Sequence, residues 1–271
     1  MADLKLINAN IDENVGIAWL TFNRPEKKNA LSVALLAEIA NTLRELANND
    51  KIRCIVTTGA GDSYSSGRDL YDMRGQDNRR RTRGFGGVAE IVDIMRKLPQ
   101  VTVAKVRGWC LGGGLAMING HDLVISSDTA KFGMPEVIRG SYGATATPSL
   151  FHAGIPFKKA FYISLTGRNL TGIEAERVGL VSDVVPEKDL DSYVDTLAKE
   201  LASRNGATLE NAKIAAYMQK DLPFDMALRA DDLVQHRLRY YTNPLSDVEG
   251  YLHSQKGGAS VKYVKPEDRK N

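Results

Sequence analysis

Apolar and polar positions in the first part of the chain follow two different periods. Alternation over 15–22, which reads VGIAWLTF, predicts a β-strand. Apolar residues then recur at helical spacing from Leu35 to Leu46 behind a candidate N-cap, Ser32, and predict the first helix. An uninterrupted apolar run at 54–58 predicts a buried strand after it. Strand and helix therefore alternate from the start.

The same reading extends over the rest of the chain. It predicts strands at 101–106, 123–127, 131–134 and 181–185, and helices at 88–98, 115–120, 145–153, 157–166, 172–178, 190–204, 207–220, 224–240 and 245–255. Alternating strands and helices as far as residue 185 are typical of an α/β fold, and the all-helical remainder predicts a separate layer or small domain. Residues 74–87 have no apolar periodicity, so we expect a mobile or ligand-dependent loop there.

Composition and charge exclude several classes of protein. The 36 Lys and Arg against 33 Asp and Glu give a formal charge of +3, which is too small to indicate nucleic-acid binding. No run approaches the roughly 20 apolar residues of a membrane helix, and the first residues lack the apolar core of a signal peptide. Cys54 and Cys110 are too few for a disulfide framework and have no zinc-site spacing. We therefore expect a cytoplasmic protein without a metal.

A glycine triplet, Gly112-Gly113-Gly114, separates a predicted strand from a predicted helix. Free N–H groups and the positive end of the helix dipole make such a position suitable for an anionic group. The chain contains neither G-x-G-x-x-G nor the P-loop motif, so it has no nucleotide-binding fingerprint. Taken alone, the triplet is more often a tight turn with close packing.

Six ordered segments together resemble the crotonase family, also called the enoyl-CoA hydratase/isomerase family. They are NRPEKKNAL at 23–31, SGRDL at 66–70, VRGWCLGGG at 106–114, HDL at 121–123, FGMPE at 132–136, and LTG at 165–167 with AERVGLV at 175–181. The resemblance covers nearly the whole chain. It implies an α/β fold with a crotonase-type ββα spiral core over 1–196 and a helical C-terminal trimerisation region over 197–271, and hence a homotrimer or homohexamer.

The resemblance also implies a site for an acyl-CoA thioester. The backbone N–H groups of Arg68 and Gly113 match the family's oxyanion-hole donors, which stabilise a thioester enolate. Glu136 matches the second of two catalytic glutamates and would shuttle the proton. Other residues at substrate-binding or CoA-binding positions are Lys27, Ser66, Gly67, Asp69, Leu70, Gly112 and Gly114. CoA would arrive as part of the substrate, so no separate cofactor is implied, nor is nucleic acid or a membrane.

One position departs from the hydratase pattern. The first catalytic glutamate of typical hydratases is replaced by Ala116, so a single carboxylate remains. One carboxylate is sufficient for moving a proton between the α- and γ-carbons of an enoyl-CoA. Hydratase-lyase or C–C hydrolase chemistry on an aromatic or cyclic acyl-CoA is the alternative, and two-glutamate hydration is the least compatible reaction.

A cluster of arginines adds a local charge feature. Arg79, Arg80, Arg81 and Arg83 lie in the loop that follows the oxyanion segment. A solvated cluster is the ordinary explanation, although guanidinium groups also suit CoA phosphates. Together with the missing glutamate, the cluster leaves a further alternative function, that of a non-catalytic CoA-binding or RNA-binding module, since some relatives of this fold bind RNA.

Overall fold

The computed structural model describes residues 5–73, 87–241, 248, 249, 252 and 253. The strands of this part of the chain are β1 (Ile7–Asp12), β2 (Ile17–Phe22), β3 (Cys54–Gly59), β4 (Val101–Val106), β5 (Trp109–Leu111), β6 (Leu123–Ser127), β7 (Lys131–Gly133), β8 (Leu170–Thr171) and β9 (Asp183–Val185). Its helices are α1 (Val33–Ala47), α2 (Leu70–Met73), α3 (Val88–Lys97), α4 (Gly113–Ile118), α5 (Ala146–His152), α6 (Phe157–Thr166), α7 (Gly172–Arg177), α8 (Leu190–Ser203), α9 (Gly206–Gln219) and α10 (Phe224–Tyr241). Over these same ranges, no helix has the length and apolar character needed to cross a membrane.

Two sheets organise the strands. The larger has the order β1-β2-β3-β4-β6-β9, with β1 antiparallel to β2 and every other neighbouring pair parallel. The smaller has the order β5-β7-β8 and lies beside the glycine triplet. Parallel pairing through intervening helices confirms the α/β interpretation.

The larger sheet is covered on both faces, as parallel sheets usually are. Neighbouring residues of β3 point to opposite cores: Ile55 packs in the cluster that contains α1, and Val56 packs in the cluster that contains α8. Helix α1 begins as expected, because the Ser32 hydroxyl accepts a hydrogen bond of 3.1 Å from the Leu35 N–H.

The differences from the predicted elements are concentrated in short segments. Strands β5 and β8 were not predicted, because segments of three and two residues are too short to show alternation. Strand β1 was not predicted, because it is an edge strand in which one side chain is buried. Helix α4 begins at Gly113, two residues earlier than predicted, in a sequence with low helix propensity. The predicted helix at 245–255 and the loop at 74–87, with its four arginines, fall largely outside the described residues.

Helices α8 to α10 follow the last strand. The boundary predicted between residues 196 and 197 falls within α8, which packs on the larger sheet. Helix α9 is held to the core by Lys213, whose buried ammonium donates hydrogen bonds to the carbonyl oxygens of Met95 and Gln100 and to the Asp122 carboxylate. The helical region is thus tied to the ends of α3 and α4.

Candidate active site

A pair of left-handed residues shapes the first loop of the site. Lys28 and Asn29 have φ of 47° and 52°. The buried Asn29 amide donates to the carbonyl oxygens of Ala60 (2.9 Å) and Ser63 (2.7 Å), and its side-chain oxygen accepts from the Arg24 N–H (2.9 Å). Asn29 therefore fixes this loop against the one that follows β3. The NRPEKKNAL segment was the signal for this region, although the holding role of Asn29 was not foreseen.

Backbone pairing places Arg68 between two segments of the chain. Residue Ser65 forms a parallel bridge with β5, in which the Leu111 N–H donates to its carbonyl oxygen at 3.0 Å. On the other side the Leu31 N–H donates to the Gly67 carbonyl oxygen at 2.8 Å. The backbone of residue 68 is consequently held by fixed neighbours on both sides, as a preorganised hydrogen-bond donor requires.

The two predicted oxyanion-hole amides lie side by side. A β-carbon built on Gly113 would be 3.4 Å from the Arg68 nitrogen, and one built on Gly67 would be 3.4 Å from the Gly113 nitrogen. Gly113 is the first residue of α4, so its N–H has no acceptor within the helix. Gly67 has φ of +91°, and a side chain there would also lie 2.8 Å from the Leu111 carbonyl oxygen.

Glu136 is brought to the same place by β7. The Gly112 N–H donates to the Gly133 carbonyl oxygen at 2.9 Å, which fixes the triplet beside the segment that carries Glu136. A β-carbon on Gly112 would lie 2.2 Å from Oε1 of Glu136. The carboxylate of Glu136 therefore lies against the α-carbon of Gly112, the residue that precedes Gly113.

The surroundings of Glu136 favour its protonated form. Its Oε2 is buried and has no hydrogen-bond partner among the described residues. Burial raises the pKa of Glu136 above its ordinary value of 4.5, and a backbone hydrogen bond at Glu136 and the charge of Arg139 oppose this rise without cancelling it. A carboxyl group with a raised pKa can both take and return a proton closer to neutral pH.

Ala116 lies in α4, one turn after Gly112. Its N–H donates to the Gly112 carbonyl oxygen at 2.9 Å, and its methyl group is fully buried in the main core. The position equivalent to the family's first glutamate thus contributes packing here and no titratable group.

Asp69 holds the loop through its side chain. The carboxylate forms an ion pair of 3.0 Å with Arg24 and accepts a 3.0 Å hydrogen bond from the Tyr71 N–H. Burial acts to raise the pKa of Asp69, but the Arg24 hydrogen bond and the Tyr71 amide outweigh it, so the pKa is lowered. The carboxylate is directed at Arg24, and we infer that it positions the loop that carries Arg68.

The remaining predicted residues surround these groups. The Lys27 ammonium lies 5.3 Å from the centre of the Tyr71 ring, and the Ser66 hydroxyl donates to the Lys27 carbonyl oxygen at 3.2 Å. Leu70 begins α2 and is half exposed. Gly114 serves packing, because a β-carbon there would lie 3.0 Å from that of Ser65. Lys27, Ser66 and Leu70, which are exposed or half-buried, form a rim beside the segment that carries Arg68, whereas Gly114 is buried.

Comparison with known proteins identifies the family of the chain. The model of the family described as enoyl-CoA hydratase/isomerase matches residues 12–248. A probable mitochondrial enoyl-CoA hydratase of Dictyostelium discoideum is 31% identical over 221 residues, covering 81% of this chain and 79% of that protein. A hydroxycinnamoyl-CoA hydratase-lyase of Pseudomonas fluorescens is 29% identical over 222 residues, covering 77% of each.

Among solved structures, that of an enoyl-CoA hydratase of Mycobacterium smegmatis superposes with a TM-score of 0.86 at 25% identity, covering 96% of this chain and 99% of the other. The fold is therefore of the crotonase type, as predicted. The chain belongs to the enoyl-CoA hydratase/isomerase family, whose members are acyl-CoA enzymes.

Proposed function

We propose that this enzyme binds the thioester oxygen of an enoyl-CoA at the N–H groups of Arg68 and Gly113, and moves a proton with Glu136 alone. The observation that carries the proposal is the contact between the Gly112 α-carbon and the Glu136 carboxylate. It supports the proposal because it would hold the carboxylate of Glu136 beside the first amide of α4. The reaction that fits this arrangement best is the shift of a double bond between the β,γ and α,β positions.

The two amides would supply electrostatic stabilisation. When a proton leaves the carbon next to the thioester, negative charge moves onto the carbonyl oxygen. A fixed N–H donor aimed at that oxygen contributes about 3–4 kcal/mol to the transition state. Both amides belong to backbone that is held by its neighbours, so little reorganisation is needed during the reaction.

Glu136 would transfer the proton in two steps. Its carboxylate removes a proton from the α-carbon of a 3-enoyl-CoA, and the C–H electron pair forms the enolate. The protonated Glu136 then returns that proton to the γ-carbon, and the double bond moves into conjugation with the thioester. Proton transfer by one positioned carboxylate contributes about 10²–10⁴-fold to the rate.

Ala116 is the reason to favour isomerisation over hydration. Two carboxylates hold the attacking water in typical two-glutamate hydratases, whereas the Ala116 methyl is buried and cannot hydrogen-bond to water. The CoA part of the substrate would lie along the rim, where Lys27, Ser66, Gly67 and Leu70 are placed. Asp69 would contribute through Arg24, and Gly112 and Gly114 through the close packing they allow.

A second candidate is hydratase-lyase chemistry on an aromatic acyl-CoA. The observation that favours it is the similarity to the hydroxycinnamoyl-CoA hydratase-lyase of Pseudomonas fluorescens, at 29% identity over 222 residues. That reaction would use the same enolate stabilisation and the same single glutamate.

A panel of thioesters tests the proposal. The full chain would be incubated with a linear 3-enoyl-CoA, the matching 2-enoyl-CoA and a hydroxycinnamoyl-CoA. We expect conversion of the 3-enoyl to the 2-enoyl thioester as the fastest reaction. Release of an aldehyde from hydroxycinnamoyl-CoA would favour the second candidate, and turnover of none of the three would contradict both.

A further inference from the structure

A cleft of about 550 Å³ lies between α3 and α5, with Asn119 at the end of α4 in its lining. Its volume is within the range of small-molecule sites. Ala89 and Val92 of α3, together with Pro148 of α5, give it apolar walls. Arg96 lies on the same face of α3, one turn beyond Val92.

Two helices that lead to the cleft, α3 and α4, begin close to the proposed oxyanion-hole residues. Helix α4 begins at Gly113, and α3 begins after Gly87, where a β-carbon would lie 3.4 Å from Nη1 of Arg68. Both helices therefore run from the oxyanion-hole residues towards the cleft. At 1.5 Å per residue, Arg96 lies about 12 Å along α3 from its first residue. Helix α4 is buried over its whole length, so a ligand that starts at the two amides would reach Arg96 by running alongside α3.

Arg96 gives the far part of the cleft a positive charge. Its guanidinium carbon lies 4.7 Å from the centre of the Tyr217 ring, which holds the side chain in place. The acidic residue one turn earlier, Asp93, is paired with Lys97 at 2.8 Å. Within the described ranges, no carboxylate forms an ion pair with Arg96, which is only half exposed. A planar guanidinium stacked in an apolar cleft suits a carboxylate.

We propose that the acyl group of the substrate is an apolar chain ending in a carboxylate, which Arg96 binds in the α3–α5 cleft. The inference rests on the proposed function, because it assumes that the thioester end lies at Arg68 and Gly113. The substrates would then be CoA monothioesters of dicarboxylic acids, and chain length would be set by the distance between the amides and Arg96.

Titration calorimetry with saturated thioesters tests the proposal without requiring turnover. The full chain would be titrated with the CoA monothioester of a dicarboxylic acid and with the CoA thioester of the monocarboxylic acid of equal length. We expect the first to bind about 10- to 100-fold more tightly, as for a charge-assisted hydrogen bond. Arg96→Met should abolish the difference, and Arg229→Met, which removes an exposed arginine of α10 that does not line the cleft, should leave it intact.

Equal affinities in the wild-type protein, or a difference that survives Arg96→Met, would overturn the inference and leave the proposed function standing. Binding of neither thioester would overturn both. A free dicarboxylate that binds through Arg96 while a thioester saturates the protein would also overturn it, since the cleft would then be a separate site. Arg96→Lys, which keeps the charge, should retain part of the preference for the dicarboxylic thioester. If Arg96→Met fails to fold, the comparison of the two thioesters in the wild-type protein decides whether the inference stands.

Discussion

The carboxylate of Glu136 lies against the α-carbon of Gly112, because a β-carbon built on residue 112 would lie 2.2 Å from Oε1 of Glu136. This contact joins the two parts of the candidate site, because Gly112 precedes the proposed oxyanion-hole glycine and Glu136 is the proposed acid–base group. Residue 112 is suited to glycine for two separate reasons: a β-carbon would collide with Glu136, and φ is +48° there.

Gly112→Ala should therefore displace Glu136 and lower kcat by about 10²-fold or more, a loss in the range expected for a mispositioned general base. The test is steady-state isomerisation of a 3-enoyl-CoA. Gly140→Ala is the matched control, because Gly140 also has a positive φ (+67°) but has open space where the β-carbon would be. Equal losses in both variants would mean that backbone strain, and not the contact with Glu136, accounts for the effect.

The raised pKa of Glu136 predicts the shape of the pH–rate profile. A general base acts only when deprotonated, so kcat/KM should fall as the pH is lowered through a pKa above the ordinary 4.5. Arg139 acts to lower this pKa, so Arg139→Gln should move the acidic limb to higher pH. Arg229→Gln, which neutralises an exposed arginine on α10, should leave the limb in place. A limb unmoved by Arg139→Gln would argue that another group titrates.

Some features of the fold and of the candidate site could be predicted from the sequence, and others could not. Helix α1 and strand β3 were predicted because long periodic segments and a capping Ser32 carry the signal locally. The ion pair between Arg24 and Asp69 joins positions far apart in the chain, so the holding role of Asp69 became visible only in three dimensions. The same is true of Gly112, whose positive φ and contact with Glu136 are tertiary properties.

The buried pair of Lys213 and Asp122 should be important for stability. The ammonium and carboxylate are 2.8 Å apart, and burial lowers the pKa of Lys213 despite the attraction of Asp122. Lys213→Met would remove the cation from Asp122 and leave its carboxylate with the hydrogen bonds from Thr102 and Tyr217 alone, and we expect the free energy of unfolding in urea to fall by about 3–5 kcal/mol. Lys199→Met, which breaks an exposed pair with Asp195, should change it by about 0.5 kcal/mol or less. Similar losses in the two variants would contradict this ranking.

Helix α10 should form part of an interface between copies of this chain. Phe224, Leu233 and Tyr240 are 79%, 68% and 74% exposed, and within the part of the chain that the structure describes Val234 is the buried large apolar residue of this helix. We expect a homotrimer or homohexamer by light scattering, and dissociation in Leu233→Glu. Gln235→Glu adds the same charge at another exposed position of α10 and should keep the assembly. A monomeric wild-type protein would refute the expectation.

The central claim is that Glu136 alone moves the proton, and exchange of the α-proton of a bound acyl-CoA in D2O tests it most directly. Exchange reports removal of that proton whatever product the enzyme goes on to form. We predict that Glu136→Gln lowers the exchange rate by about 10²–10⁴-fold while a saturated thioester still binds, and that Glu176→Gln, at an exposed glutamate, has no effect. Undiminished exchange in Glu136→Gln would contradict the account.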